Sequence, residues 1–590
     1  MLYPQQNSCR ELTRLDGFWN FRPDPDEVGR DKKWQNGIPG GRSIAVPGSY
    51  NEIFTPDDFD GLDLMSYQGT VWYEKKFDIP EGISGKRAWL RIGAAYFKAS
   101  VWLNGHFLGE YAKGFLPCDI EITDHVLAGR VNRLSIAVDN RLNECTIPQC
   151  RQTDPLYATN PPSDFDWFPY AGLYRSVYVY WTGANCLRNI KVGTEKRGKD
   201  AHVKIQAVCA DAWEGRINWS ISRNSEELHS GTIKGCETEV VISNADWWSP
   251  ASPALYRLKL QLVNGQTPID EYYLDIGLRT IAVDRKNILL NGKPITLRGV
   301  AMHEDVIGSG KTLDPVNLTR DFARLRWVGA NAIRCTHYPY AEEFYSMADR
   351  EGFLCFAEVP AWGLNGGCMT SELAQFHKQM IKEMIERDQN HPSIIGWFVA
   401  NEPYFFSNMS DISSDPPQHF LDYFADICDF TKRLDSRPIT IAGCTRRDET
   451  YLKMCDIASL NRYFGWYFCQ GRIKTGVAKL AEDIEDMHRK LNKPIIVSEF
   501  GADGFVGEHS VVPEMHTEEY QAQLLHETIK MLQDNPLVAG QFLWVFADFK
   551  VTQSPGRIRN NHKGIFTRDR SPKLAARIVR SLWKKLPLFK

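Results

Sequence analysis

The sequence predicts a multidomain protein: a β jelly-roll sandwich over residues 1–181, an immunoglobulin-like β-sandwich over 182–278, and a C-terminal (β/α)8 TIM barrel over 279–590. Three observations predict it. Short runs that alternate polar with apolar residues, broken by turn residues, fill the first of these stretches. The next hundred or so residues repeat that grammar. Beyond them, unbroken apolar runs alternate with amphipathic segments. Period-two alternation buries one face of a strand, whereas a strand of a parallel sheet covered on both faces reads as continuously apolar.

In the first stretch, Val71-Trp72-Tyr73-Glu74-Lys75-Lys76-Phe77 and Ala99-Ser100-Val101-Trp102-Leu103 are strands, and Asn104-Gly105 is a hairpin turn. Many such strands in one segment make a sandwich or jelly roll. The second ends in the alternating run Leu255 to Leu262 and lacks the paired Cys and Trp landmarks of an antibody domain. In the third, predicted strands are Thr296–His303, Ala332–His337, Leu354–Glu358, Ile394–Ala400, Ile439–Ala442, Ile457–Leu460, Ile495–Ser498 and Val538–Trp544. Helices are predicted at Leu318–Gly329, Glu342–Glu351 and Glu372–Asp388. Eight βα units close into a barrel.

Composition removes several functions. With 70 basic and 73 acidic residues the net charge is −3, which argues against nucleic acid as a partner. No run approaches the ~18–20 apolar residues that cross a bilayer, so no membrane partner is expected. Met1 to Leu15 lacks the apolar core of a signal peptide, and fourteen cysteines show neither CxxC pairs nor zinc-type spacing. They read as thiols of a reducing, cytoplasmic compartment, with no metal site. Three Asn-x-Ser/Thr triplets, starting at Asn218, Asn317 and Asn408, are read as chance. Aromatic residues reach 12%, with 17 Trp, and flat aromatic faces suit sugar rings.

The active site of such a barrel lies at the C-terminal ends of its strands. There the fourth strand runs into Asn401-Glu402-Pro403 and the seventh into Ser498-Glu499-Phe500-Gly501. Two carboxyl groups facing each other at ~5–5.5 Å hydrolyse a glycoside with retention: one attacks the anomeric carbon, the other protonates the leaving oxygen and later activates water. One acid at a barrel mouth is as readily an ion-pair partner; two in these local sequences are not.

These motifs resemble the retaining glycoside hydrolases of family 2. The resemblance extends to Leu15-Asp16-Gly17-Phe18-Trp19, Val46-Pro47-Gly48-Ser49-Tyr50-Asn51, Tyr170-Ala171-Gly172-Leu173-Tyr174-Arg175 and Arg334-Cys335-Thr336-His337-Tyr338-Pro339. It implies Glu402 as acid/base and Glu499 as nucleophile, with Asn401 on the sugar 2-hydroxyl. Asn561-His562-Lys563 resembles the Asn-x-Lys signature of the family's β-glucuronidases, whose two side chains contact the sugar's C6 carboxylate. An ammonium–carboxylate contact is a strong charge-assisted bond, and a neutral sugar is expected to leave Lys563 buried without a partner. The resemblance further implies Tyr463 near the nucleophile, Tyr467 near the sugar carboxylate, Arg557 beside the Asn-x-Lys loop, Asp166 reaching the sugar hydroxyls from a jelly-roll loop, and Trp544 packed on the ring. No cofactor is implied. The expected partner is a small-molecule or oligosaccharide glucuronide, and the protein is expected to be a homo-oligomer.

Glu499 must be ionised, favoured by nearby donors or cations, and Glu402 protonated, favoured by burial or by Glu499. A β-galacturonidase, a β-galactosidase and a non-catalytic sugar-binding protein remain open as alternatives. Gly308-Ser309-Gly310-Lys311-Thr312 lacks the first glycine of a phosphate-binding loop and suits an active-site loop. His303-Glu304 lacks a second zinc-protease His. His303 and His337 are placed in or behind the sugar pocket. Only Gly363 to Ser371 follows strand three, where some relatives carry a covering loop, which predicts an open mouth that accepts bulky glucuronides.

Overall fold

Alternation in the first third of the chain folds into two antiparallel sheets. A six-stranded sheet runs in the order Arg42–Val46, Gly17–Asp24, Thr70–Asp78, Val131–Asp139, Lys98–Leu103, His106–Ala112. A four-stranded sheet holds Glu11–Arg14, Val177–Thr182, Arg87–Ile92 and Cys118–Glu121. Asn104 and Gly105, at φ 52° and 84°, make the tight turn between Lys98–Leu103 and His106–Ala112. Both left-handed conformations are what a two-residue turn of matching twist requires. The computed structural model describes residues 2–589 except 84, 153, 155, 214, 234, 406–414 and 445–448; the triplet beginning at Asn408 lies outside the described residues.

The second sandwich pairs a three-stranded sheet (Leu187–Arg197, Asp200–Cys209, Glu237–Ile242) with a four-stranded one (Glu226–Ile233, Arg216–Arg223, Tyr256–Asn264, Thr267–Ile276). Leu258, Leu260 and Leu262 point into its separate core, while Arg257 faces solvent. A small sheet that the apolar patterning did not reveal, Ile281–Val283, Ile288–Leu290 and Lys293–Ile295, follows. Its Ile288, Leu290 and Ile295 pack with Leu297, Ala332, Leu354, Ile496 and Ala539 in one cluster. That cluster plugs the end of the barrel opposite the mouth.

The barrel is closed and parallel, with strands one to eight at Leu297–Met302, Ala332–Cys335, Leu354–Glu358, Ile394–Asn401, Ile439–Gly443, Ala458–Asn461, Ile495–Glu499 and Val538–Leu543. Strand one closes the ring by pairing with strand eight. All residues of these strands are buried, which is why their runs are apolar. Strands one and two stop short of His303 and His337, and strand eight short of Trp544, so these three side chains stand at the mouth. Between strands five and six a short 3-10 helix, Thr450–Met454, takes the place of an α-helix among the described residues. No helix among them is long and apolar enough to cross a membrane.

The jelly roll is clamped onto the barrel mouth. Arg568 donates to both oxygens of Glu52, at 3.0 and 2.7 Å, and to Asp305 at 2.7 Å. Ser49 N donates to the Ser309 carbonyl, and Lys311 N to Ser49 Oγ. The Gly308–Thr312 segment therefore docks on the jelly roll rather than lining the site. Lys311 is buried with its ammonium over the rings of Tyr338 (4.1 Å) and Phe115 (4.8 Å), and burial pushes its pKa down to about 7.

In strand one, a Cβ on Gly299 would lie 2.2 Å from the Phe542 ring. Gly299→Ala is expected to destabilise the barrel by about 1–3 kcal/mol through overpacking, read as a lower apparent Tm in thermal unfolding.

Candidate active site

Strands two, three, four, six and seven bring polar groups to the mouth. Arg334, in strand two, is fully buried and stacks its guanidinium on Phe398 at 4.3 Å. Its nitrogens donate to Glu499 Oε1 (2.8 Å), Asn401 Oδ1 (2.6 Å) and Glu358 Oε2 (3.0 Å). Asn461 Nδ2 donates to Glu402 Oε1 at 2.7 Å and to Asn401 Oδ1 at 3.2 Å, while its own Oδ1 accepts from Ser498 Oγ. Glu402 and Glu499 are thus tied to the same polar frame. Tyr463 Oη donates to Glu499 Oε2 at 2.7 Å. Among the described residues Asn401 Nδ2 is buried with no partner, which leaves its N–H groups for a ligand.

Glu402 sits one residue past strand four at φ 48°, a left-handed conformation for a side-chain-bearing residue. Such strain, about 1–3 kcal/mol, persists where neighbours over-determine it and gathers at functional sites. His337 Nδ1 donates to Glu358 Oε1 at 2.7 Å, its Nε2 is 3.9 Å from Glu499, and its ring stacks on Trp544 at 5.2 Å.

Burial dominates the electrostatics. It raises Glu402 to a pKa of about 8, with a further push from the charge of Glu499, against the Asn461 hydrogen bond and Arg334. It also raises Glu499 to about 7, although Arg334 and Tyr463 both favour its charged form. The donors expected around Glu499 are present, yet desolvation outweighs them. Glu402 stands the higher of the two because it is buried beside the charge of Glu499, whereas Glu499 gains more from Arg334, which it touches.

A second constellation lies beside the first. Lys563, 1% exposed, reaches Tyr467 Oη at 3.1 Å and lies over the rings of Tyr467 (5.0 Å) and Trp466 (5.3 Å). Arg557 donates to Asp166 Oδ2 at 2.6 Å and Oδ1 at 3.1 Å, and to Tyr467 Oη at 3.1 Å. Asn561 Nδ2 donates to Asp166 Oδ2 at 3.1 Å, and Asn561 Oδ1 accepts from Lys563 N. The rings of Tyr463 and Tyr467, 5.1 Å apart on the turn after strand six, join the two groups.

The ten residues singled out from sequence therefore fall into two adjoining sets: Asn401, Glu402, Tyr463, Glu499 and Trp544, then Asp166, Tyr467, Arg557, Asn561 and Lys563. One expectation needs correction. Lys563 is not left without a partner when no acidic sugar is bound, because Asp503 stands 3.3 Å from its ammonium. The penalty against neutral sugars is correspondingly smaller. Asp503, four residues past Glu499, was missed, as were the roles of Arg334, Glu358 and Asn461. For Arg334, Glu358 and Asn461 a polar or charged residue inside a buried apolar run was the available signal; Asp503, in the loop past strand seven, carried none. The short segment after strand three is met by the jelly roll, Asn365 N donating to Gln149 Oε1, and the turn after strand four likewise, Arg151 donating to Tyr404. No group of three or more His, Cys, Asp or Glu among the described residues could hold a metal ion.

Comparison with known proteins agrees along the chain. Three family models match: "Glycosyl hydrolases family 2, sugar binding domain" over 12–183, "Glycosyl hydrolases family 2" over 178–279, and "Glycosyl hydrolases family 2, TIM barrel domain" over 281–588. The chain is 35% identical to a β-glucuronidase of Paenibacillus borealis, with 99% of each chain covered. It is 35% identical to the human β-glucuronidase, covering 99% of this chain and 93% of that one. Among solved structures, the β-glucuronidase of Ruminococcus gnavus in complex with D-glucuronic acid superposes with a TM-score of 0.91 at 34% identity, covering 99% of each.

An acid whose pKa is raised on folding binds its proton more tightly in the folded state, so its contribution to stability is full below its unfolded value and is lost as pH rises through the folded one. For Glu402 that loss spans pH 4.5 to about 8. Glu402→Gln removes it. The variant's apparent Tm is expected to exceed that of the unmodified protein by a margin that widens over this interval; a margin independent of pH would contradict the assignment.

Proposed function

The chain belongs to glycosyl hydrolase family 2, and on that footing we propose that it is a retaining β-glucuronidase, releasing D-glucuronate and an alcohol or phenol from β-D-glucuronides by double displacement. The observation that carries this reading is the buried Lys563 ammonium, flanked by Tyr467 and Arg557, next to two carboxyl groups of unequal acidity.

In this reading Glu499 is the nucleophile. Arg334 and Tyr463 hold its two oxygens and stabilise the ionised form that attacks the anomeric carbon. Glu402, the more basic acid, arrives protonated and delivers its proton to the leaving oxygen. Once the glycosyl ester forms, the negative charge of Glu499 is gone. The repulsion that kept Glu402 protonated falls with it, and Glu402 can take a proton from the attacking water. The spare Nδ2–H of Asn401 suits the 2-hydroxyl, a contact that strengthens at the transition state. Asp166, with Arg557 and Asn561 on its carboxylate, suits the ring hydroxyls. Asn561, Lys563, Arg557 and Tyr467 receive the C6 carboxylate, and Trp544 stands beneath the ring.

A β-galacturonidase shares the carboxylate contacts. A β-galactosidase has no use for Lys563, and a mere sugar binder has none for the two acids. The divisions at 181/182 and 278/279, a cytoplasmic setting and homo-oligomeric assembly belong to the same reading; all fourteen cysteines are free, which supports the compartment.

The deciding assay compares aryl β-glucuronide, galacturonide, galactoside and glucoside at equal concentration. The glucuronide is expected to be cleaved fastest, and Glu499→Ala to abolish cleavage while D-glucuronate still binds. Lys563→Ala is expected to lower kcat/KM on the glucuronide by about 2–5 kcal/mol in transition-state terms and far less on the glucoside; equal losses would reject the carboxylate contact. Activity requires Glu499 ionised and Glu402 protonated. kcat/KM is therefore expected to rise with pH through about 7 and to fall through about 8, a narrow bell that Glu402→Gln, which carries no titrating carboxyl, would strip of its alkaline limb.

A further inference from the structure

Between Asn561 and Lys563 lies His562, whose carbonyl oxygen is the meeting point of three separate elements. It accepts from Gly504 N at 3.0 Å, from Lys573 Nζ at 3.0 Å and from Gln521 Nε2 at 3.4 Å. Gly504 follows strand seven, Gln521 belongs to helix Glu518–Asp534, and Lys573 immediately precedes helix Leu574–Trp583. A carbonyl has two lone pairs, so this is more than burial alone requires.

The same two side chains grip the surrounding backbone. Lys573 Nζ also reaches the Gly504 carbonyl and Asp548 Oδ1, each at 2.7 Å. Asp548 Oδ1 in turn accepts from Gly564 N at 3.0 Å. Gln521 Nε2 donates to the carbonyls of Ala502 (3.0 Å) and Gly564 (3.1 Å). The chain at Gly564 passes so near Asp548 that a Cβ would fall 2.1 Å from its nitrogen. Both Lys573 and Gln521 are buried, at 1% and 0% exposure. A buried ammonium is costly unless its partners are fixed, and those of Lys573 are two main-chain carbonyls and one carboxylate, none of them a group assigned to the sugar.

We propose that Lys573 and Gln521 are positioning residues for uronate specificity: by fixing the His562 carbonyl they set the Asn561 and Lys563 side chains in register with the sugar's C6 carboxylate. The inference rests on the reading that Lys563 contacts that carboxylate. A charge-assisted contact needs its donor within a few tenths of an ångström, and misplacement by about 1 Å can reduce a rate by two orders of magnitude. The neutral hydroxymethyl group of a glucoside makes no such demand.

The test uses Lys573→Met, which removes the ammonium and keeps the chain length, and the milder Gln521→Met. kcat and KM are measured on aryl β-glucuronide and aryl β-glucoside, together with product inhibition by D-glucuronate. Each variant is expected to lose about tenfold to a hundredfold in kcat/KM on the glucuronide, mostly through KM, with weakened D-glucuronate inhibition and unchanged turnover of the glucoside. Equal losses on both substrates, or an unchanged ratio between them, overturn the proposal in favour of a purely structural role. Should Lys573→Met fail to fold, Gln521→Met gives the same readout and decides alone. If the unmodified enzyme shows no preference for the glucuronide, the carboxylate reading falls and this inference with it; if it does and both variants keep it, only the positioning role falls.

Discussion

The buried guanidinium of Arg334 is the interaction on which the rest of the site depends. Sealed inside a closed barrel and lying on the face of Phe398, it has no water to solvate it. It is stable there only because Glu358, Asn401 and Glu499 surround it with acceptors in fixed positions. One rigid fork thereby orients groups from three other strands. It also helps break the symmetry between the two acids: Glu499 touches the cation, while Glu402 touches the neutral amide of Asn461 and is raised by burial and by the charge of Glu499. Glu358 completes the frame by dividing its carboxylate between Arg334 and His337. Burial pushes its pKa up to about 7, opposed by Arg334.

Most of the architecture was legible because burial writes itself into periodicity. The eight apolar runs of the barrel correspond to its eight strands, and Asn104-Gly105 marked its hairpin by conformational need alone. The strand ends carrying Glu402 and Glu499 could be located for the same reason. What patterning hid was pairing across the barrel. Arg334 and Glu358 are far apart in sequence terms from the acids they serve, and Asp503 looked like one more loop carboxylate until the fold set it against Lys563. The Gly308–Thr312 segment misled in the opposite sense: its place just after strand one suggested an active-site loop, whereas Lys311 is packed under aromatic rings at the seam with the jelly roll. The three-stranded sheet below the barrel escaped notice because strands of three residues are too short to show a period.

The two halves of the pocket solve opposite problems. Around the acids, burial is used to hold protons that water would remove. Around Lys563 and Arg557, Asp503 and Asp166 supply the opposite charge that two buried or half-buried cations require. Tyr463 and Tyr467, one turn apart, carry hydrogen bonds into both halves, so a movement of that turn would be felt by Glu499 and Lys563 together.

Asp166 comes from the jelly roll, while Arg557 and Asn561, which hold its carboxylate, come from the barrel. The constellation around Lys563 is therefore a joint product of two folding units. Excising the barrel as a minimal enzyme would keep Glu402 and Glu499 and yet remove Asp166, leaving Arg557 without its nearest counter-ion. Modular as the chain looks on paper, its chemistry belongs to the seam, and swapping amino-terminal modules between relatives would alter which sugars enter before it altered how they are cut.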